Sequence, residues 1–141
     1  MAGRVVIAGV TEDELDVPAH STAVRDAAAG ATVTFAGVVR DHDDGRSVVA
    51  LEYSAHPTAA GLVAQVAAQI AARAGVVAVA VTHRYGPLGI GDVALAAAVS
   101  AAHRREAFDA CSDLVDQVKH RLPVWKRQVF ADGADEWVGS A

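Results

Sequence analysis

The two lysines of the chain are the residues with the most distinctive chemistry. Lys119 and Lys126 lie on either side of Pro123 in the segment KHRLPVWK, whereas the other ten Lys or Arg positions are arginines. An arginine can fill any solvated or anion-pairing role, but a lysine amine can lose its proton when desolvated, attack a carbonyl carbon or act as an acid or base. The pair is therefore a candidate catalytic set. The alternative is that the lysines only complement a helix dipole, which is worth about 0.3–1 kcal/mol.

Further cations occur at the ends of predicted elements. His103 and Arg104 follow a predicted strand and precede a predicted helix, where free backbone N–H groups and the positive helix end favour a phosphate or a carboxylate. A solvated basic helix start is the alternative interpretation. Arg40 ends the first strand of a predicted hairpin. If the strand ends meet, these side chains and the lysines form a cationic pocket for a small anion or an anionic peptide end.

Several common catalytic and metal-binding patterns are absent from the sequence. It contains no G-x-x-x-x-G-K-[ST], H-E-x-x-H, G-x-S-x-G or C-x-x-C, and its six histidines are scattered without an i, i+4 pair. Gly89–Ala94 fits the dinucleotide pattern G-x-G-x-x-G/A, which would indicate a nucleotide-dependent oxidoreductase, but a β-type run follows where that pattern needs a helix. We therefore expect a tight turn there, and neither a metal nor a cofactor.

Composition and charge limit the class of protein. The 141 residues are 52% hydrophobic and 21% charged, with a net charge of -5, which predicts one globular domain over residues 1–141 and argues against nucleic-acid binding. The single cysteine excludes an internal disulfide and indicates a reducing compartment. The N-terminal segment predicts a strand rather than a signal peptide. The uncharged stretch 53–72 contains a histidine, a proline and two glutamines, so we expect no membrane span and a cytoplasmic location.

Hydrophobic periodicity predicts an α+β fold in which adjacent strands pair antiparallel. The predicted order is strand, short helix, β-hairpin, helix, two strands, helix and one or two terminal strands. The hairpin joins 31–40 to 46–54 through the turn DHDDG. The first main helix has Pro57 in its first turn and Gly75 at its end, and the second ends before Pro123. Their apolar stripes are Leu62, Val66 and Ile70 in the first helix, and Ala107, Cys111, Leu114, Val118 and Leu122, flanked by Phe108 and Val115, in the second.

Five segments follow one another with the spacing of a known family. They are GATVTFAGVVRD (30–41), LEY (51–53), HRYGPLGIGD (83–92), SAAHRREAFDAC (100–111) and KHRLPVWK (119–126). Together they resemble the MoaE family, the large catalytic subunits of molybdopterin synthase. The resemblance extends over most of the chain, and the patterns HR-x-x-AF and K-x-x-x-P-x-WK carry its specificity.

The resemblance implies an α/β hammerhead-type fold with a mostly antiparallel sheet and two main helices. It also implies a central homodimer that forms a heterotetramer with small ubiquitin-like sulfur-carrier subunits. Sulfur passes from the thiocarboxylated C-terminal tails of two such partners to cyclic pyranopterin monophosphate, giving the dithiolene of molybdopterin. By motif, the resemblance implies that Lys119 is the position essential for catalysis and that Lys126 is its companion. Arg40, His103 and Arg104 match positions that bind the pterin phosphate or the incoming tail.

The chain departs from the family pattern at a few positions. Where the family often has LEYEAY, this chain has LEYSAHP, so that Ser54 and His56 replace an acid and an aromatic ring. Arg127 and Gln128 stand in place of the usual Lys-Glu after WK. These changes concern the partner groove or the pocket wall and leave both lysines in place. A non-catalytic module that docks a ubiquitin-like tail is the alternative to a sulfurtransferase.

Overall fold

The computed structural model describes residues 3–139, which form three helices and nine strands. Their bounds, in chain order, are β1 (Arg4–Thr11), α1 (Val17–Ala23), β2 (Ala31–Val38), β3 (His42–Asp43), β4 (Arg46–Ala55), α2 (Ala59–Ala71), β5 (Val76–Arg84), β6 (Gly86–Leu88), β7 (Val93–Ala101), α3 (Arg104–Arg121), β8 (Val124–Phe130) and β9 (Asp135–Val138). Within these residues, no helix combines the length and the apolar character needed to cross a membrane.

The strands form two sheets with mostly antiparallel pairing. The first sheet has the order β1-β5-β7-β2, in which only the β1–β5 pair is parallel. The second has the order β3-β4-β8-β9, with β6 also paired to β4, and all its pairs are antiparallel. The central strands β5 and β7 are buried on both faces, which explains their nearly continuous Val/Ala runs. The predicted α+β class with two main helices is confirmed.

The helices cover the two faces of the first sheet. Leu114 and Val118 of α3 share one core cluster with α2 and with Val79, Val81 and the other residues on the same face of β5 and β7. On the opposite face, next to α1, Val24 lies in a smaller cluster with the alternate alanines of the same strands. The predicted stripe of α3 is confirmed from Ala107 to Leu122 and at Val115, but Phe108 is 60% exposed, so its ring lies outside the core.

The predicted pairing of 31–40 with 46–54 is wrong. β2 pairs with β7 in the first sheet, whereas β4 pairs with β8 in the second. The turn signal itself is confirmed, because Asp44 and Gly45 adopt positive φ angles of 50° and 75° and reverse the chain between β3 and β4. The hairpin at this turn is therefore a short one, and the chain between β2 and β3 crosses from one sheet to the other.

The expected turn at Gly89–Ala94 is confirmed. Gly91 has a φ of 88°, and the N–H of Gly89 donates to Oδ2 of Asp92 at 2.8 Å. Strand β7 follows directly, so the glycines lack the helix N-terminus that a dinucleotide phosphate requires. The Gly-Pro segment just before this turn forms the short strand β6.

Candidate active site

A cavity of about 240 Å³ lies where the two sheets meet the C-terminal end of α3. Both lysines and Arg40 line it, so three of the five predicted site residues are together in one protomer. The wall residues that matter most for its chemistry are Arg40, Asp43, Tyr53, His83, Lys119, Lys126 and Gln128. They come from α3, from strands of both sheets and from the crossing segment after β2.

The elements around the cavity position the two lysines from different sides. Lys119 lies in the last turn of α3, which ends because Leu122 adopts an extended conformation before Pro123. Lys126 is opposite Tyr53 in the β4–β8 pairing. Side chains alternate along β8, so Lys126 shares the inner face with Gln128, whereas the neighbouring Trp125 is 44% exposed.

Partial desolvation and charge act together on Lys119, although the residue as a whole is exposed. Desolvation lowers the pKa of its ammonium group below the usual 10.5, and the charge of Lys126 lowers it further, whereas Asp116 opposes the shift. A lowered pKa increases the fraction of neutral amine at a given pH. The amine of Lys119 is therefore better suited to acyl or proton transfer than an ordinary surface lysine.

An ionised carboxylate holds part of the cavity wall in place. Gln128 Nε2 donates to Oδ2 of Asp43 at 2.8 Å, and Nη2 of Arg40 lies 3.3 Å from Oδ1 of the same residue. The hydrogen bond from Gln128 lowers the pKa of the Asp43 carboxyl, helped by the charges of Lys126 and Arg40. The Arg40 side chain remains 65% exposed, so its guanidinium retains donors for an incoming anion.

His83 and Tyr53 also line the cavity but are not among the site residues predicted from the sequence. His83 is 2% exposed, and its ring meets the Tyr53 ring edge-on at 4.9 Å and 85°. Burial lowers the pKa of His83 to about 4, and the charge of Lys119 lowers it too, against the opposing hydrogen bond with the Arg84 carbonyl. The ring is therefore neutral at pH 7. The signal that could have found it is the alternation along β5, which places His83 on the core face with Val79 and Val81.

His103 and Arg104 do not line this cavity. Both are exposed at the N-terminal end of α3, where His103 is the N-cap residue. Lys119 lies at the other end of the helix, and a rise of 1.5 Å per residue separates it from Arg104 by about 22 Å along the axis. Within one protomer, the two predicted anion-binding positions are thus too far away to share a small ligand with the lysines.

The arrangement is suited to binding anions. Three cationic side chains surround one carboxylate in a cavity large enough for a small molecule or the end of a peptide. Across residues 3–139, no group of three or more His, Cys, Asp or Glu side chains is placed to hold a metal ion. The cavity itself offers amines, a guanidinium, an imidazole, a phenol and a carboxylate.

Residues 10–121 match the family model described as MoaE protein. The chain belongs to the MoaE family. A MoaE relative from Nostoc sp. strain PCC 7120, named molybdopterin synthase catalytic subunit, is 42% identical over 115 residues, which cover 80% of this chain and 70% of the relative. The family assignment predicted from the five motifs is confirmed.

Two solved structures share the fold of this chain. Molybdopterin synthase from Staphylococcus aureus matches with a TM-score of 0.85 and 30% identity, covering 94% of this chain and 96% of that chain. A complex of subunits 1 and 2 of molybdopterin-converting factor from Helicobacter pylori matches with a TM-score of 0.69 and 18% identity, covering 96% of this chain and 88% of that chain. The second likeness concerns the fold alone.

Proposed function

We propose that this chain is the catalytic subunit of a molybdopterin synthase. It transfers sulfur from the thiocarboxylated C-terminal tail of a small ubiquitin-like subunit to cyclic pyranopterin monophosphate, acting as a single domain in the cytoplasm without a bound cofactor. The observation that carries this proposal is the convergence of Lys119, Lys126 and Arg40 on one cavity. Membership of the MoaE family supports it.

The cavity fits the charges of both reactants. A thiocarboxylate and a cyclic phosphate diester are anions, and the three cationic side chains offset the cost of bringing them together. Lys119 assists the attack of the thiocarboxylate sulfur on the precursor and the later hydrolysis of the acyl C–S bond, in which water supplies the oxygen, the tail leaves as a carboxylate and the sulfur stays on the pterin. Lys126 and Arg40 hold the phosphate and the pterin.

We further propose that the active unit is a homodimer in which each copy completes the site of the other. β2 is an edge strand of the first sheet, so its outer backbone groups are available for pairing. Its first residue, Ala31, pairs with Ala101, two positions before His103. Its last residue, Val38, lies two positions before Arg40. Antiparallel pairing of two β2 strands would bring the start of one strand beside the end of the other.

This pairing would explain how residues at opposite ends of α3 can belong to one site. His103 and Arg104 of one copy would lie near the cavity of the second copy, which contains Lys119, Lys126 and Arg40. A groove of about 340 Å³ beside β2, lined in part by Val33, Phe35 and the exposed Phe108, supports the same contact surface. Apolar groups of this kind are typical of homodimer interfaces.

The experiment that tests the function is conversion of cyclic pyranopterin monophosphate by the purified chain together with a thiocarboxylated small subunit. We expect the wild type to form molybdopterin and Lys119→Ala to lose at least a hundredfold in kcat, in line with the loss of an acid–base or nucleophilic group. Lys119→Arg should also fail, because it restores the charge but not a titratable amine. His120→Ala, which changes an exposed residue of the same helical turn, is the matched control.

Two results would contradict the proposal. Turnover by Lys119→Ala at the wild-type rate would remove the catalytic role of the lysine. Equal tail affinity with Lys or Arg at both positions, together with no product from the wild type, would instead favour a non-catalytic module that docks the tail.

A further inference from the structure

The histidine of the cavity is placed by the strand that also builds the core. His83 follows Val79 and Val81 on one face of β5, and its side chain reaches the cavity next to Lys119. It is 2% exposed and packs edge-on against the Tyr53 ring at 4.9 Å. Two contacts therefore restrain the ring, one from β4 and one from the backbone of its own strand.

The backbone contact determines which ring nitrogen can accept a hydrogen bond. Nδ1 lies 2.7 Å from the carbonyl oxygen of Arg84. A carbonyl oxygen only accepts, so Nδ1 must carry the proton and donate it. The ring's hydrogen bond within residues 3–139 uses Nδ1. In a neutral imidazole with this tautomer, Nε2 has a lone pair and is an acceptor.

Nε2 of His83 is a neutral acceptor in a cavity that charged side chains also line. The charged groups that face the cavity with it are Lys119 from α3, Lys126 from β8, and Arg40 and Asp43 from the segment after β2. The Asp43 carboxylate is already engaged by Gln128 and Arg40. The low pKa of His83, about 4, keeps its ring neutral across the physiological range.

A pterin substrate needs both hydrogen-bond donors and hydrogen-bond acceptors from the protein. Its phosphate requires cations and N–H donors, whereas the ring N–H and amino groups of its heterocycle require acceptors. A donor buried without an acceptor loses its hydrogen bonds to water at a cost. Cations alone would therefore bind a phosphate without selecting the heterocycle attached to it.

We propose that His83 is a specificity-determining residue whose Nε2 accepts a hydrogen bond from a ring N–H or amino group of the pterin substrate. This inference rests on the proposed function, because it assigns the heterocycle to the cavity that holds the lysines. His83 contacts the substrate heterocycle, while the cationic side chains hold the phosphate. The resulting selectivity is against phosphorylated compounds that lack a donor at this position.

Two variants distinguish the role of Nδ1 from the role of Nε2. His83→Asn places an amide N–H where Nδ1 donates to Arg84, but leaves nothing at the position of Nε2. His83→Gln places an amide oxygen near the position of Nε2 and gives up the bond to Arg84. His120→Asn is the matched control, because Nδ1 of His120 also lies 2.7 Å from a backbone carbonyl oxygen, that of Asp116, but on the exposed surface.

Binding of cyclic pyranopterin monophosphate is measured by calorimetry without the partner subunit, with inorganic phosphate as the second ligand. We expect His83→Asn to raise the Kd for the precursor by about three- to tenfold, the effect of losing one neutral hydrogen bond. The Kd for phosphate should not change. We expect His83→Gln to recover part of the affinity although it unfolds more easily, and His120→Asn to bind as the wild type does.

Wild-type affinity in His83→Asn would overturn the proposal, and so would an equal loss of phosphate binding, since both would indicate a purely structural role. A second measurement does not depend on variant folding. In wild-type protein with ¹⁵N-labelled histidines, the Nε2 resonance of His83 should shift on addition of precursor but not of phosphate. An unchanged resonance in the presence of bound precursor would also overturn the proposal.

Failure of the proposed function gives a different result. If the wild type binds the precursor through His83 but makes no product with a thiocarboxylated partner, the sulfurtransferase assignment fails while the role of His83 stands. If product forms and the His83 variants bind precursor normally, the reverse holds.

Discussion

The cavity contains two ammonium groups, and the charge of Lys126 lowers the pKa of Lys119. The ammonium of Lys119 is partly desolvated and lies within the field of Lys126, and both effects lower its pKa. The carboxylate of Asp116 acts in the opposite direction but is the weakest of the three influences. In addition to the role in anion binding that we propose for it, the second lysine therefore favours the neutral form of the first.

We predict that Lys126→Gln moves the pH dependence of kcat to higher pH. Removing the neighbouring charge raises the pKa of Lys119, so a higher pH is needed to produce the same fraction of neutral amine. The measurement is kcat against pH at saturating precursor and partner. The matched control is Arg121→Gln, which removes a cation from the same helical turn, one that contacts Gln69 and does not line the cavity. A profile of Lys126→Gln that superimposes on the wild type would show that the two amines are not coupled.

The titration of His83 makes the stability of the fold depend on pH. Its pKa is about 4 in the folded state, against an ordinary value of 6.5. As the pH falls, the unfolded chain binds the proton first, so the free energy of unfolding decreases between pH 6.5 and about 4. The contribution of the neutral His83 to the free energy of unfolding is fully present above pH 6.5. Roughly 3 kcal/mol of it is lost when the pH has fallen to about 4.

We therefore predict that His83→Asn flattens this dependence. Urea unfolding at several pH values between 4.5 and 7.5 gives the free energy of unfolding, and its slope against pH should be smaller in the variant than in the wild type. His120→Asn removes an exposed imidazole and should retain the wild-type slope. Equal slopes in all three proteins would mean that His83 does not titrate as its burial requires.

Local patterns in the sequence predict the strands and helices well but do not predict which strands pair with one another. The alternation in 31–38 and the stripe of α3 each follow from side chains on one face of one element, and both are confirmed. The partner of β2 depends on long-range contacts with β7, which lies more than fifty residues away in the sequence. A turn between two alternating runs favours a hairpin, and here the crossing between sheets prevails over that preference.

The same distinction explains which site residues could be predicted. The lysines can be predicted because their chemistry is rare in this chain and because the family motif contains them. For His83, the alternation along β5 predicts only that the side chain lies on the core face with Val79 and Val81, and burial alone does not indicate a function. Its neighbours Tyr53 and Lys119 come from β4 and α3, so only the tertiary packing brings the group together. The distance between Arg104 and Lys119 could be predicted, because both residues lie in one predicted helix and the rise per residue of a helix is known.

At the scale of the whole molecule, the arrangement of α3 leads to a testable requirement for two copies. The helix has the lysine site at its C-terminal end and His103 with Arg104 at its N-terminal end. In a homodimer paired through β2, each cavity would take its lysines from one copy and these two residues from the other. A variant that lacks a lysine and a variant that lacks Arg104 should therefore complement each other, because one site of their mixed dimer receives both residues intact.

We predict that co-expression of Lys119→Ala with Arg104→Ala restores activity that neither variant has alone. About half of the randomly formed dimers contain one copy of each variant, and each of these has one intact site out of two, so about a quarter of the wild-type activity should return. Lys119→Ala with Lys126→Ala is the matched control, because both residues line the same cavity of one copy and no mixed dimer contains an intact site. Restoration in both mixtures, or in neither while sedimentation shows that mixed dimers form, would contradict a site shared between copies and leave Arg104 with a role outside the cavity.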